Sequence, residues 1–198
     1  MPRVIAGCAR GRRLKAPPGE RTRPTSDRTK EAMFSALEAR LEWAGLRVLD
    51  LFAGSGQLGI EALSRGAAKC TFIEQQRRTA GIIHDNLAIC NLTEYGTVIA
   101  KNVASGLRQL EADQCPPFDL ILLDPPYREV SEQWPKTYAL LKKCHLLKPG
   151  AMLVMEHGDD FETMAFVTDL KLLKRCKYGT AMLSFCLYTP ILGQGDDS

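Results

Sequence analysis

A chain of 198 residues, 45% hydrophobic and 25% charged, has the size and mix of one soluble domain with enough length to bury a core. It holds no run of 18 or more apolar residues, so a transmembrane helix is not expected, and MPRVIAGCARGRRLK lacks the apolar segment of a secretory signal, which makes the cytoplasm the expected location. Net charge is +3, yet residues 1–30 carry nine basic side chains against Glu20 and Asp27, so the remainder is net acidic. A basic arm on an acidic body points to a polyanionic partner, with a solvated tail as the plainer alternative. Seven cysteines, odd in number and never spaced C-x-x-C, read as reduced, buried thiols, and no metal site is expected.

In chain order, RVIAGCARGRRLKAP predicts two short strands around Gly7–Gly11, a basic hairpin. TRPTSDR is a polar loop, and Thr25 or Ser26 caps a helix with Met33, Phe34, Leu37 and Leu41 on its apolar side. The chain then alternates. Strand Arg47–Phe52 leads through a glycine loop to a helix ending near Arg65. Strand Cys70–Glu74, helix Thr79–Ile89, strand Thr97–Ala100 and helix Val103–Leu110 follow. Next come strand Asp119–Leu123, a helix over Glu132–Cys144 and strand Ala151–Glu156. Short apolar runs separated by helices imply βαβ units and a mostly parallel sheet. LKLLKRCKY and AMLSFCLYT, on either side of Gly179–Thr180, read instead as an antiparallel hairpin at one side of the sheet. The expectation is therefore an α/β fold with seven strands, helices on both faces and a hairpin extension over 1–22. The body spans 23–191 and a frayed tail 192–198.

VLDLFAGSGQLGIEAL places Asp50 near the end of the first parallel strand, then Gly54, Gly56 and Gly59, then a helix. Ligands of open α/β sheets bind beyond the carboxyl ends of the strands. Glycines admit close backbone approach there, and a helix N-terminus offers unpaired N–H groups. Glu74 ends the next strand and suits the two hydroxyls of a ribose. The glycines alone leave NAD, S-adenosylmethionine and a purely structural turn open. Asp50 tips the balance, because a carboxylate before the glycines suits an amino-acid ammonium group and not a pyrophosphate.

FDLILLDPPY ends a strand abruptly, since proline cannot continue a central ladder. With a methyl donor over the strand ends, the Asp124 carboxylate and the Pro125 carbonyl could accept the two hydrogens of an exocyclic base amine. They would aim its lone pair and stabilise the charge that develops. Tyr127 supplies a face on which an extruded base stacks. The simpler alternative is a strand-ending turn with an incidental aspartate.

These residues resemble the nucleic-acid amino-methyltransferases of the class I, Rossmann-like fold, with their [D/N/S]-P-P-[Y/F/W] motif. More narrowly, four segments in order resemble the RsmD family, which methylates the N2 amine of one guanine in 16S ribosomal RNA: RVIAGCARGRRLKAP (3–17), TRPTSDRTKEAMF (22–34), VLDLFAGSGQLGIEALSRGA (48–67) and FDLILLDPPY (118–127). The resemblance implies that Asp50, Phe52, Ala53, Gly54 and Gly56 hold the methionine part of S-adenosylmethionine and Glu74 its ribose. It implies that Asn102 meets the adenine, where many relatives carry Asp, and that Arg23 and Arg28 lie near the incoming base. It also implies 16S rRNA in a 30S particle as partner. Arg10, Arg12, Arg13 and Lys15 are then phosphate contacts that position the RNA while the pocket selects the base. A monomer is the default.

Two further readings stay open: an N6-adenine methyltransferase of DNA or RNA, and a non-catalytic RNA-binding assembly factor. An NAD oxidoreductase ranks below both. His84, His145 and His157 share no ligand spacing, and only His157, at the end of the fifth strand, lies where ligands bind. Ser55 is in no nucleophile elbow. Trp43 and Trp134 read as packing, and Lys142, Lys143 and Lys148 as solvated charges.

Overall fold

Strands buried on both faces must be apolar almost throughout, and RVLDL and FDLILL meet that demand at every inward position but one, Asp50. A computed structural model describes residues 2–17, 27–125, 130–158, 168–179 and 181–190. Its elements are α1 (Asp27–Glu38), β1 (Arg47–Leu51), α2 (Gln57–Ser64), β2 (Lys69–Ile73), α3 (Arg77–Ile89), a 3-10 turn (Thr93–Tyr95), β3 (Gly96–Ile99), α4 (Val103–Ala112), β4 (Phe118–Leu123), α5 (Val130–Lys143), β5 (Leu147–His157), β6 (Leu170–Tyr178) and β7 (Ala181–Tyr188). The strands form one seven-stranded sheet in the order β3-β2-β1-β4-β5-β7-β6. β1 to β5 are mutually parallel, while β7 pairs antiparallel with both β5 and β6. This is the expected mixed α/β sheet with its antiparallel hairpin. The chain reverses between β1 and β4, and that switch point is where open sheets bind ligands.

Alternation along the strands sorts the core. Val48, Phe72, Leu120, Leu122 and Val154 pack under the arm, α1, α2 and α3, while Leu49, Leu51, Ile121, Leu123 and Leu153 pack under α4 and α5. α1 ends at Glu38, short of Leu41, which packs against the same core as α1 from beyond the helix, and two larger details also differ from the sequence reading. β5 begins at Leu147, not Ala151: the chain is paired to β4 at Phe118↔Leu147 and bulges through Lys148-Pro149-Gly150 before Leu120↔Met152. The N-terminal hairpin is reduced to one antiparallel pair, Arg3↔Arg13.

The reason for the reduced hairpin is where the backbone donors go. Ile5 N and Ala6 N donate to the Glu61 carboxylate (2.8 and 3.0 Å), Cys8 N to Ser64 O (2.8 Å) and Ala9 N to Ser64 Oγ (2.9 Å). The arm still folds back on itself through Val4 N to Arg12 O (3.0 Å), Gly11 N to Val4 O (2.9 Å) and Leu14 N to Pro2 O (2.8 Å), but the donors nearer its turn bond to α2 and do not extend the ladder. Gly7 makes this approach possible: its φ is 82°, and a Cβ there would lie 1.8 Å from Ser64 O. Val4, Ala9 and Leu14 join the same core cluster as α1 and α2. The cap expected at Thr25 or Ser26, the loop residue Pro24, the boundary at 22–23, Thr180 and the tail 192–198 all lie outside the described residues.

Glu61 is fully buried and also pairs with Arg65 Nε at 2.9 Å and Lys30 Nζ at 3.6 Å. Lys30, itself fully buried, donates to the Arg3 carbonyl as well. Burial pulls the Lys30 ammonium below its usual range, with Glu61 opposing that shift. Among the described residues no helix is long and apolar enough to cross a membrane. Truncating Glu61 would leave the buried Lys30 without its carboxylate partner and two arm N–H groups without an acceptor, while Arg65 would keep Glu38 at 2.6 Å. Glu61→Ala should cost roughly 3–5 kcal/mol in denaturant unfolding and expose the arm to protease before the body unfolds.

Candidate active site

Three adjacent strands, β2, β1 and β4, each bring a carboxylate to the same end of the sheet. Asp50 pairs with Phe72 on one side and Leu122 on the other. Glu74 and Asp124 stand two residues beyond those partners, so by alternation they share the Asp50 face. Asp50 is 1% exposed and Glu74 8%, while Asp124 is half-buried. Burial pushes the Asp50 carboxyl well above the usual carboxylate range. The Gly59 N–H opposes the shift, and the neighbouring Asp124 and Glu74 charges add to it. No group of three or more described His, Cys, Asp or Glu side chains is arranged to hold a metal ion.

The glycine loop is shaped by these carboxylates. Asp50 Oδ2 accepts the Gly59 N–H at 2.9 Å, drawing α2 onto the sheet. Glu74 accepts Gly54 N–H at 2.9 Å with one oxygen and Gln76 N–H at 2.8 Å with the other, which ties two loops together. The turn between them is tight. Phe52 has φ 61° although it is not glycine, a conformation that costs of order 1–3 kcal/mol and is typical of binding turns. Ala53 N donates to Ile73 O, and Gly56 N to Ala53 O. Gly59 is required by packing, since a Cβ there would lie 2.3 Å from the Phe72 ring and 2.6 Å from Cys70 Sγ. Among the described residues, a Cβ on Gly54 would meet nothing within 4 Å.

This donor set fits S-adenosylmethionine. Each Glu74 oxygen has a lone pair left after its backbone bond, as a ribose diol needs. The space over Gly54, clear of the described residues, admits a ligand against the loop. The carboxylates suit a cationic ligand and would repel a pyrophosphate. Gln57 Oε1, on the first residue of α2, is a buried acceptor without a hydrogen-bond partner among the described residues.

The remaining candidates fall as follows. Asn102 caps α4, its Oδ1 accepting Ser105 N–H at 2.8 Å, and is exposed after β3. Pro125 is buried directly after Asp124, while Tyr127 and Arg23 lie outside the described residues. Arg10, Arg12, Arg13 and Arg28 are exposed. Lys15 pairs with Asp85 at 2.8 Å, both side chains open to solvent. His157 is fully buried, its Nδ1–H donating to Gly158 O at 2.6 Å and its Nε2 lying 2.8 Å from Ser184 Oγ, so it links β5 to β7.

Asn86 escaped the sequence reading. Fully buried on α3, it accepts Lys15 N–H (2.7 Å) and donates to Lys15 O (3.0 Å) and to Ser55 O (2.9 Å). One amide thus fastens the basic arm to the glycine loop. Its signal is a polar residue inside the buried stripe of Ile83, Leu87 and Cys90.

Two outcomes follow from this geometry. Asn86→Ala leaves three backbone groups unpaired and should lower stability by roughly 1–3 kcal/mol in denaturant titration, whereas Asn86→Asp restores only the bond from Lys15 N–H. Asp50→Asn keeps an acceptor for Gly59 N–H and removes the cost of a buried charge. Because the folded carboxyl is raised, the native protein loses stability as pH climbs from about 3.9 through the folded value. The variant's gain in melting temperature should therefore be small near pH 4 and larger at pH 8; a constant or shrinking gain would refute the assignment.

The chain is similar to known proteins over most of its length. A family model described as conserved hypothetical protein 95 matches residues 2–187. YlbH of Bacillus subtilis is 37% identical over 177 residues, 89% of this chain and 94% of that protein. The Haemophilus influenzae protein named ribosomal RNA small subunit methyltransferase D is 39% identical over 160 residues, covering 80% and 79%. Among solved structures, yhhF from Escherichia coli superposes with a TM-score of 0.81 at 31% identity, over 94% of this chain and 97% of that one. The chain belongs to the conserved hypothetical protein 95 family, the RsmD family, and has its Rossmann-like methyltransferase fold.

Proposed function

We propose that this protein transfers a methyl group from S-adenosylmethionine to the exocyclic N2 amine of a guanine in small-subunit ribosomal RNA. The observation that carries this is the placement of Asp50, Glu74 and Asp124 on one face at the ends of three neighbouring strands, around a loop that the described residues leave open at Gly54. The cofactor supplies an electrophilic methyl on a positively charged sulfur. Glu74 holds the ribose hydroxyls. Asp50, Phe52, Ala53, Gly54 and Gly56 form the wall for the methionine portion, and Asn102 lies by the adenine, with its Nδ2 free of the helix cap. Relatives named as ribosomal RNA methyltransferases support RNA as the substrate class.

The catalytic task is to orient a weak nucleophile. Its lone pair is delocalised into the base, so the Asp124 carboxylate and the Pro125 carbonyl accept its two hydrogens and face the lone pair toward the methyl carbon. As the bond forms, the nitrogen gains positive charge, which Asp124 stabilises before the proton leaves. Tyr127 takes the stacking role by its place in the DPPY motif. The arm's exposed Arg10, Arg12 and Arg13, with Lys15, Arg23 and Arg28, neutralise phosphates. The acceptor is an assembled 30S particle or assembly intermediate in the cytoplasm. The enzyme works as a monomer, in keeping with a surface whose described residues expose only Tyr95 and Leu172 among large hydrophobics.

Labelled methyl transfer to 30S particles and to naked 16S RNA, both from cells lacking this protein, tests the proposal. The expected product is N2-methylguanosine, with Asp124→Ala slowing transfer by at least ~100-fold while the protein stays folded. N6-methyladenosine would keep the mechanism and overturn the substrate. No transfer to either RNA would defeat the enzyme reading on ribosomal RNA.

A further inference from the structure

β6 is the outer strand of the sheet and its sequence, LKLLKRCKY, holds four basic residues and no acidic one. Lys171, Lys174, Arg175 and Lys177 are all exposed. This runs against the net acidic character of the chain beyond residue 30. Directly opposed residues of antiparallel strands share a face. Lys171 opposes Leu187 and Lys174 opposes Phe185, and both partners pack into the cluster beneath α1 and the arm. Lys171, Lys174 and Tyr178 therefore stand on the α1 side.

The strand also points the right way. Tyr178, its last residue, pairs with Ala181, and the next residue of β7, Met182, pairs with His157 at the carboxyl end of β5. β6 thus finishes at the end of the sheet that carries Asp124. Burial pushes the Tyr178 hydroxyl up, and Arg28 sits near enough to pull against it. Beside Arg28, Asp27 binds Arg3 of the arm at 2.7 Å. Positive groups accordingly continue from the arm, across the first turn of α1, to the site end of β6 and down its length.

We propose that β6, through Lys171 and Lys174 with Arg28, is a further RNA phosphate-binding surface, which extends the positive surface of the arm along the α1 side of the sheet. The inference rests on the RNA-methyltransferase reading. Over six residues a strand reaches roughly 20 Å, enough to follow several phosphates. The competing account is that lysines on an outer strand only block pairing with another sheet. Edge protection commonly uses lysine as well, but it does not require the charges to line up with Arg28 and the arm, as they do here. The opposite outer strand, β3, is GTVI, short and without any charge.

The two accounts separate under charge reversal. Full-length protein carrying Lys171→Glu and Lys174→Glu keeps a charged edge, so it should remain soluble and monomeric and keep its S-adenosylmethionine affinity by calorimetry. Its affinity for a fluorescent mixed-sequence RNA in anisotropy titrations should fall roughly five- to tenfold, and the slope of log affinity against log salt should shrink by about 0.7 per lost contact. Methyl transfer to 30S particles should lose efficiency through KM more than kcat. If the wild type binds RNA and methylates it while the double variant matches it in affinity and slope, the β6 proposal is wrong and the enzyme reading stands. A wild type that neither binds nor methylates RNA overturns both.

Discussion

The hydrogen bond from Gly59 N–H to the buried Asp50 carboxylate is the contact on which the rest of this structure hangs. It fixes the depth at which α2 lies on the sheet, and Gly59 has no side chain because Phe72 and Cys70 occupy the space a Cβ would need. Once α2 is at that depth, its first residues define the glycine loop and its outer side presents Glu61 and Ser64 to the arm. A carboxylate in a strand core is costly. Asp50 is kept at a topological switch point, where a polar group can serve a ligand as well as the fold.

Charge is handled in two ways. Under the arm, Glu61, Lys30 and Arg65 are buried together, where removing one member leaves the others exposed to the full cost of desolvation. Such a group specifies a docking geometry more than it adds stability, since an apolar replacement of the whole set could pack as well. At the surface, Arg10, Arg12 and Arg13 are solvated. The buried charges hold the arm's backbone still, and the exposed ones stay available on a rigid platform.

Legibility in the sequence followed the range of the interactions involved. Short, nearly continuous apolar runs punctuated by glycine and proline sufficed for the strands, because burial on both faces acts residue by residue. The glycine loop and the carboxylates at strand ends were also readable, since their chemistry depends on local spacing. The arm was not. RVIAGCARGRRLKAP has the pattern of two strands and does fold back on itself, but four of its donors are satisfied by Glu61 and Ser64, more than fifty residues away. Asn86 was hidden for the same reason: its bonds to Lys15 and Ser55 exist only after three elements have come together. The start of β5 was not legible either, because Lys148-Pro149-Gly150 separates Leu147 from the apolar run, while pairing at Phe118↔Leu147 keeps the segment in the sheet as a bulge.

Asn86 also changes how the arm should be understood. A basic tail that merely attracts RNA would need no fixed relation to the site. Here the arm's backbone at Lys15 and the loop's backbone at Ser55 share a single buried amide. A shift of either segment costs hydrogen bonds held by the other, so the two are coupled in free energy, and that coupling is reciprocal. On the proposed reading, phosphates captured by the arm would register against the same loop that shapes the cofactor pocket. In-line transfer would depend on that registration, because a nucleophile misplaced by about 1 Å loses orders of magnitude in rate. An arm with that role would set geometry as well as affinity, which would account for a backbone held by buried partners although most of its charges are in water.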